Sequence, residues 1–348
     1  MSLGFKSDIF SCSKITWKKV INSKNIDNIK IIINKNISNL KYTIYQSSGM
    51  ELNSNNFILK FPSKMLILKK WNSEMSFLEI KSILNLMMQL NKKKITVPKQ
   101  NFFNNKRNII KYKNEFWSYF EYIDGNHFKG NLEEMKNVAK FLGKVTGELE
   151  KFSIKKYHKK YKYFNKEDFN ILQFLKKNHL KLNKFFSDEH AQQIKKYLPK
   201  IIILFKKLKG HNIKKKQVKL IHMDIHPHNI ITKNNFVKAL LDIDSCVIGE
   251  IGHALAYATL KICKQTVVCN KNISKKKIKL LFISELKKTY HLDKKIENNF
   301  YYFAVSEVLR RLIYMFRLSI KNKDTKWNHV IPIQLGHLDE CETLFYLK

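Results

Sequence analysis

The chain has 348 residues, 44% of them apolar, with only ten Gly and five Pro, which suits a two-lobed globular protein and excludes a fibre or a wholly disordered chain. Its formal charge of +38 is carried by 62 lysines and four arginines (Arg107, Arg310, Arg311, Arg317). That lysine excess, with abundant Asn and Ile, is the mark of an AT-rich coding bias, whereas nucleic-acid grips keep Arg for its bidentate fork, so no nucleic-acid partner is expected.

Five scattered cysteines without a CxxC pair speak against a disulfide scaffold or a zinc site. No apolar run approaches the ~18 residues of a membrane span, and the opening MSLGFKSDIFSCSK lacks the apolar stretch of a signal peptide. A cytoplasmic protein with no membrane partner is the expectation.

Residues 1–28 read as an arm or short helix with an apolar patch at Ile15, Trp17, Val20 and Ile21. Short β-like runs follow at Ile29–Ile33, Tyr42–Tyr45, Phe57–Phe61 and Met65–Lys69, separated by Asn/Ser clusters and Gly49. From Ser73 to Leu90 the spacing of Met75, Leu78, Ile83, Leu86 and Leu90 predicts a helix, which Val97-Pro98 closes off. Ile109–Tyr112 and Trp117–Tyr122 read as two more strands, and Asp124-Gly125 as a turn.

Beyond Gly125 the pattern is helical: Leu132–Phe152, then near 167–178, 188–208, 252–264, 276–290 and 296–320, with one β-rich island at 218–244. The fold class predicted is α+β and bilobal. A sheet lobe with one helix spans 29–124, and a larger helical lobe spans 125–348.

The chemistry concentrates in Leu220-Ile-His-Met-Asp-Ile-His-Pro-His-Asn-Ile-Ile231 and Ala239-Leu-Leu-Asp-Ile-Asp-Ser245. His222-x-Asp224-x-x-x-x-Asn229, followed by Asp242 in an apolar strand, has the spacing of a kinase catalytic loop and its second metal-binding Asp. A hydroxyl nucleophile needs a carboxylate to orient it, which is Asp224. Magnesium on phosphates takes hard oxygens, offered by Asn229 and Asp242. His226 and His228 raise a metal site as an alternative. Without Cys or Glu at zinc spacing, a structural His226 and an exposed His228 are preferred.

The run resembles the HGDxHPxN signature of the aminoglycoside phosphotransferase and choline kinase family, the small-molecule branch of the protein-kinase-like fold. His222, Asp224, His226, Pro227 and Asn229 match as they stand, Asp242 matches the metal-binding Asp, and Asp-Ile-Asp-Ser is similar to the DFD variants. Met223 and His228 stand where the pattern has glycines, and Ala254 stands where an Asp often follows on a helix.

The resemblance implies ATP and Mg2+ as cofactors and a small-molecule hydroxyl as acceptor. It implies that Lys69, at the end of Leu66-Ile67-Leu68-Lys69, holds the phosphates, with Lys70 as the alternative on the opposite strand face. Glu79 would pair with that lysine, with Glu74 as runner-up, and the backbone at Glu121, Tyr122 and Ile123 would meet the adenine. Gly49 is the one candidate for a phosphate-covering turn.

The resemblance also implies that an acidic cluster, Asp339, Glu340 and Glu342, is the candidate for recognising an amine on the acceptor, against the alternative that it merely balances nearby lysines. Two other readings stay open. One is a catalytically silent relative that binds a ligand. The other is a protein kinase, disfavoured by the lack of an APE-like segment and of a long activation loop.

Overall fold

The computed structural model describes residues 17–19, 24–36, 41–47, 56–101, 109–154, 157, 159–210 and 218–346. Its first half is built from β1 (Trp17–Lys19), α1 (Lys24–Asn36), β2 (Thr43–Ser47), β3 (Asn56–Lys60), β4 (Met65–Lys70), α2 (Phe77–Lys92), β5 (Ile110–Tyr112) and β6 (Glu115–Glu121). The strands form one antiparallel sheet in the order β1-β2-β3-β4-β6-β5.

Side chains alternate across that sheet. Leu66 and Leu68 of β4 join Phe57, Leu59, Trp117 and Tyr119 in a core against Ile29, Ile32 and Ile33 of α1. Ile67 faces the other way, toward the cluster that holds Trp71, Phe120 and the apolar side of α2. By the same alternation Lys69 lies on the α2 side and Lys70 on the α1 side.

Two expectations need correction here. Ile29–Ile33 is helical, not a strand. Ile26, Ile29 and Ile33 recur at helical spacing and are buried, while Lys30 and Ile31 face out, so burial of one helical face outweighs the strand preference of β-branched residues. The described parts of 1–28, read as an arm or short helix, also join the sheet lobe: Trp17–Lys19 pairs with β2 as a strand, and the helix α1 begins at Lys24.

The chain crosses to the second lobe through 122–125 and β7 (Asn126–His127). A side chain at Gly125 would meet Ile231 Cγ2 at 2.5 Å and the Thr232 carbonyl oxygen at 2.7 Å, so only glycine lets the crossing lie this close to β9.

The second lobe comprises α3 (Leu132–Glu150), α4 (Lys166–Lys177), α5 (Asp188–Gly210), β8 (Val218–His222), β9 (Ile230–Lys233), β10 (Phe236–Leu240), β11 (Cys246–Glu250), α6 (Ile251–Cys269), α7 (Lys275–Lys287), α8 (Lys294–Asn298), α9 (Phe300–Lys321) and α10 (Ile331–Phe345). The small sheets β10-β9-β7 and β11-β8 hold the functional loops between them. The β9–β10 hairpin turns through Asn234 and Asn235, both with positive φ (51° and 66°), the geometry that a two-residue hairpin turn demands and Asn tolerates. α6 is buried on nearly every side, and α10 has no counterpart among the expected helices. Among the described residues no helix is long and apolar enough to cross a membrane.

Candidate active site

β8 delivers His222, and the chain then turns through Met223–His226 into a short helical turn, Pro227–Asn229. His222 is almost fully buried. The Asp224 amide donates to its Nδ1 at 3.2 Å, so the proton sits on Nε2, which donates to the Leu241 carbonyl at 3.1 Å. One imidazole thereby ties the Asp224 backbone to the residue before Asp242. Asn229 closes the loop from the other side: its Nδ2 donates to the Asp224 carbonyl at 2.8 Å and to Asp224 Oδ2 at 3.3 Å. Leu241 N–H donates back to the Asn229 carbonyl at 2.8 Å. Neither Met223 nor His228 has positive φ, so these two sites do not need glycine.

Asp224 stands among donors. His226 Nε2 lies 3.4 Å from Oδ2, and Arg311 Nη1 donates to Oδ1 at 3.0 Å. Burial alone would raise its pKa, but His226 and Arg311 outweigh that and hold the carboxyl well below the usual range.

Asp242 opens the turn before β11 with a left-handed backbone, φ 52°, which a short polar side chain accepts more readily than most. Its carboxyl is pushed up to about 6 by desolvation and by the neighbouring Asp244 and Asp224, against the pull of Lys69. With 46% of that side chain open to the cleft, water screens part of the rise. Lys69 Nζ reaches across from the sheet lobe to Asp244 Oδ1 at 2.7 Å and Asp242 Oδ1 at 3.9 Å. Asp244 would be raised by burial, but Lys69 brings it below the usual carboxylate value. Lys70, on the opposite face, pairs with Glu115 and lies over the Trp117 ring.

The remaining expected residues fall as follows. Glu79 is the third residue of α2, and its Oε2 accepts from the Ser76 amide and hydroxyl in a capping box. α2 packs against the 243–245 turn, and the Glu79 charge is felt at Tyr157, whose hydroxyl donates to the Cys246 carbonyl. The Glu121 amide donates to the Lys99 carbonyl at 2.8 Å, and that of Tyr122 reaches the Met65 carbonyl at 3.4 Å. Gly49 lies outside the described residues.

Asp339, Glu340 and Glu342 sit within α10. Asp339 accepts from Tyr197 (2.5 Å) and Lys200 (2.6 Å), Glu342 accepts from Lys200 (2.8 Å), and the buried Glu340 pairs with Lys264 at 3.0 Å.

Sequence reasoning missed Arg311. It also assigned no role to Asp244, although it noted the Asp-Ile-Asp-Ser run. Arg311 lies 87 residues past Asp224 in sequence, and no local pattern connects them. The available signal was compositional: in a chain of 62 lysines, four arginines stand out, and two of them are adjacent.

The geometry brings a lysine of the sheet lobe onto two aspartates, beside a braced loop aspartate of the helical lobe, an arrangement chemically able to hold phosphates next to a hydroxyl. The comparisons agree. The profile of a phosphotransferase enzyme family matches residues 49–267, more than half the chain, and the protein belongs to that family. It is therefore a phosphotransferase of the kind that acts on small molecules.

Among solved structures, a spectinomycin phosphotransferase in complex with ADP and spectinomycin superimposes with a TM-score of 0.65 at 14% identity, over 96% of this chain and 98% of that one. An amicoumacin kinase in complex with AMP-PNP and Ca2+ gives 0.60 at 11% identity, over 94% and 96%. The choline kinase LicA from Streptococcus pneumoniae gives 0.54 at 15%, over 91% and 99%. At such identities these structures establish the protein-kinase-like fold. Comparison with curated protein sequences finds no match.

Proposed function

We propose that this protein transfers the γ-phosphoryl group of ATP, with Mg2+, to a hydroxyl of a small molecule. The observation that carries the reading is the convergence of Lys69 from β4 on Asp242 and Asp244, beside an Asp224 whose backbone and side chain are both fixed. Lys69 is placed to neutralise phosphate oxygens, and Asp224 to orient the acceptor hydroxyl and take its proton late in the transfer. With the Glu121 and Tyr122 amides engaged within the protein, the Ile123 backbone is the adenine contact in this reading.

The donor set fits magnesium. Asp242 and Asp244 are hard oxygen ligands crowded enough to raise Asp242, and Asn229, with its Nδ2 on Asp224, has Oδ1 left for a cation. Among the described residues no three His, Cys, Asp or Glu side chains form a cage for an ion. Mg2+ characteristically binds through one or two carboxylates plus substrate phosphates, so its arrival with the nucleotide suits this site. Bound there, it would supply charge neutralisation across the transferring phosphates.

Amine recognition by Asp339, Glu340 and Glu342 finds less support, because Lys200 and Lys264 already balance these carboxylates. A packing role for the cluster is favoured. The test is a coupled ADP-release screen with Mg-ATP over amino alcohols, aminoglycosides, sugars and amino acids, with Asp224→Asn as the blank. Acceptor-dependent ADP release by the wild type alone supports the reading. Release equal in both proteins, or in neither, contradicts it.

A further inference from the structure

α9 carries a side-chain arrangement that the sequence motif does not contain. Arg311 donates through Nη1 to Asp224 Oδ1 at 3.0 Å and through Nη2 to the Met223 carbonyl at 2.8 Å. One guanidinium therefore grips both the carboxylate and the backbone just before it, a two-point clamp that fixes the side-chain rotamer as well as the loop.

The guanidinium is itself held from two directions. Its Nε donates to Glu307 Oε1 at 2.7 Å, one turn back on the same helix. Tyr257 of α6 presents its ring face 4.3 Å from the guanidinium carbon. Glu307, with no exposed surface, is anchored in turn by two bonds from Arg310 (2.6 and 2.8 Å) and one from the Tyr161 hydroxyl (3.0 Å). A buried carboxylate between two arginines is stable only because its charge is fully matched. The chain from Tyr161 through Glu307 to Arg311 is thus a rigid polar strut ending on Asp224.

The strut also answers the departure at Ala254. α6 packs against β8 and the 227–229 turn, but its Ala254 is a buried methyl group, which has no hydrogen bond to give the loop. The polar brace comes from α9 instead. Lysine could not replace this arginine: an ammonium has no planar fork to span Asp224, Met223 and Glu307 together.

We propose that Arg311, held by Glu307 and Tyr257, is the positioning residue that fixes the Asp224 carboxylate for phosphoryl transfer. The inference rests on the function proposed above. Its effect falls on the chemical step, because a displaced carboxylate misorients the acceptor hydroxyl while the nucleotide contacts at Lys69, Asp242 and Asp244 stay in place.

The test uses the full chain as wild type, Arg311→Met, Arg311→Lys, Asp224→Asn and the double variant Asp224→Asn/Arg311→Met. Acceptor-dependent ADP release is measured beside stabilisation by Mg-ATP. In Arg311→Met, kcat is expected to fall roughly a hundredfold, with KM for ATP and the Mg-ATP thermal shift little changed. Arg311→Lys should recover only part of the loss. In the Asp224→Asn background, Arg311→Met should add almost nothing, since the group it positions is gone. Should Arg311→Met fail to fold, Arg311→Lys keeps the charge beside Glu307, and its kcat is expected roughly tenfold down.

Wild-type turnover in the arginine variants, or losses that multiply in the double variant, would overturn the positioning role while leaving the function intact. A wild type that binds Mg-ATP but phosphorylates no acceptor overturns the function and this inference with it.

Discussion

The two acid-rich segments of the helical lobe make an instructive pair. Asp224, Asp242 and Asp244 lie in loops between short strands, and Asp339, Glu340 and Glu342 lie along one helix. Both groups meet cations, but differently. In the first, Lys69 comes from the other lobe and Arg311 from a distant helix, and Asp242 remains pushed up to about 6 by burial and its acidic neighbours. In the second, Lys200 and Lys264 on adjacent helices pair with the carboxylates at ordinary ion-pair distances. Like charge gathered in a cleft suits the magnesium proposed there, whereas a matched set suits packing.

The comparison is broken most decisively at Asp224. Asp224→Asn should lower turnover by roughly a hundred- to ten-thousand-fold while Mg-ATP still stabilises the fold, measured by ADP release and thermal shift. Near-normal turnover would remove Asp224 from the base role. Asp242→Ala should next abolish the Mg2+-dependent part of ATP stabilisation, since it deletes a hard oxygen ligand. An unchanged Mg-ATP shift would contradict the assignment.

Within the second group the effects fall on stability. Glu340→Ala leaves Lys264 buried without its carboxylate and should cost about 3–5 kcal/mol in denaturant unfolding. A loss below ~1 kcal/mol would mean that the pair is weakly coupled. Asp339→Asn with Glu342→Gln, at the half-exposed pair with Lys200, should cost about 0–1 kcal/mol and leave both KM values unchanged. A selective rise in the acceptor KM would restore the amine-binding reading.

Between these two in size lies an acid effect near the strut. Burial lowers the His253 pKa to about 4, from 6.5 when unfolded, so between those pH values the unfolded chain binds more protons. Stability is therefore full above about 6.5 and is lost as pH falls toward 4, by on the order of 2–3 kcal/mol. His253→Gln should flatten that slope in part, leaving the shares from His127, which burial lowers to about 4, and from His222, which burial also lowers. An unaltered slope would mean that His253 is not buried neutral.

Much of the site was legible because its residues are local. His222, Asp224, Asn229 and Asp242 fall within 21 consecutive positions, and strand alternation alone separated Lys69 from Lys70. Ile29–Ile33 misled because a short run of β-branched residues reads the same in a strand as on the buried face of a helix. α10 was not among the expected helices, and although a balance of its carboxylates by nearby lysines was one of the two readings, which lysines pair with them depends on which helices become neighbours.

By itself, then, the sequence determined the lobe order and the candidate loop from His222 to Asn229, because backbone period and motif spacing are properties of adjacent residues, whereas Asp242, read as part of an apolar strand, lies at a left-handed turn. Only the tertiary structure decided that Lys69 meets Asp244, that Glu340 is matched by Lys264, and that Arg311 reaches Asp224 from 87 residues away. Those contacts depend on how helices and sheets pack, and packing answers to the burial of whole faces rather than to any local pattern.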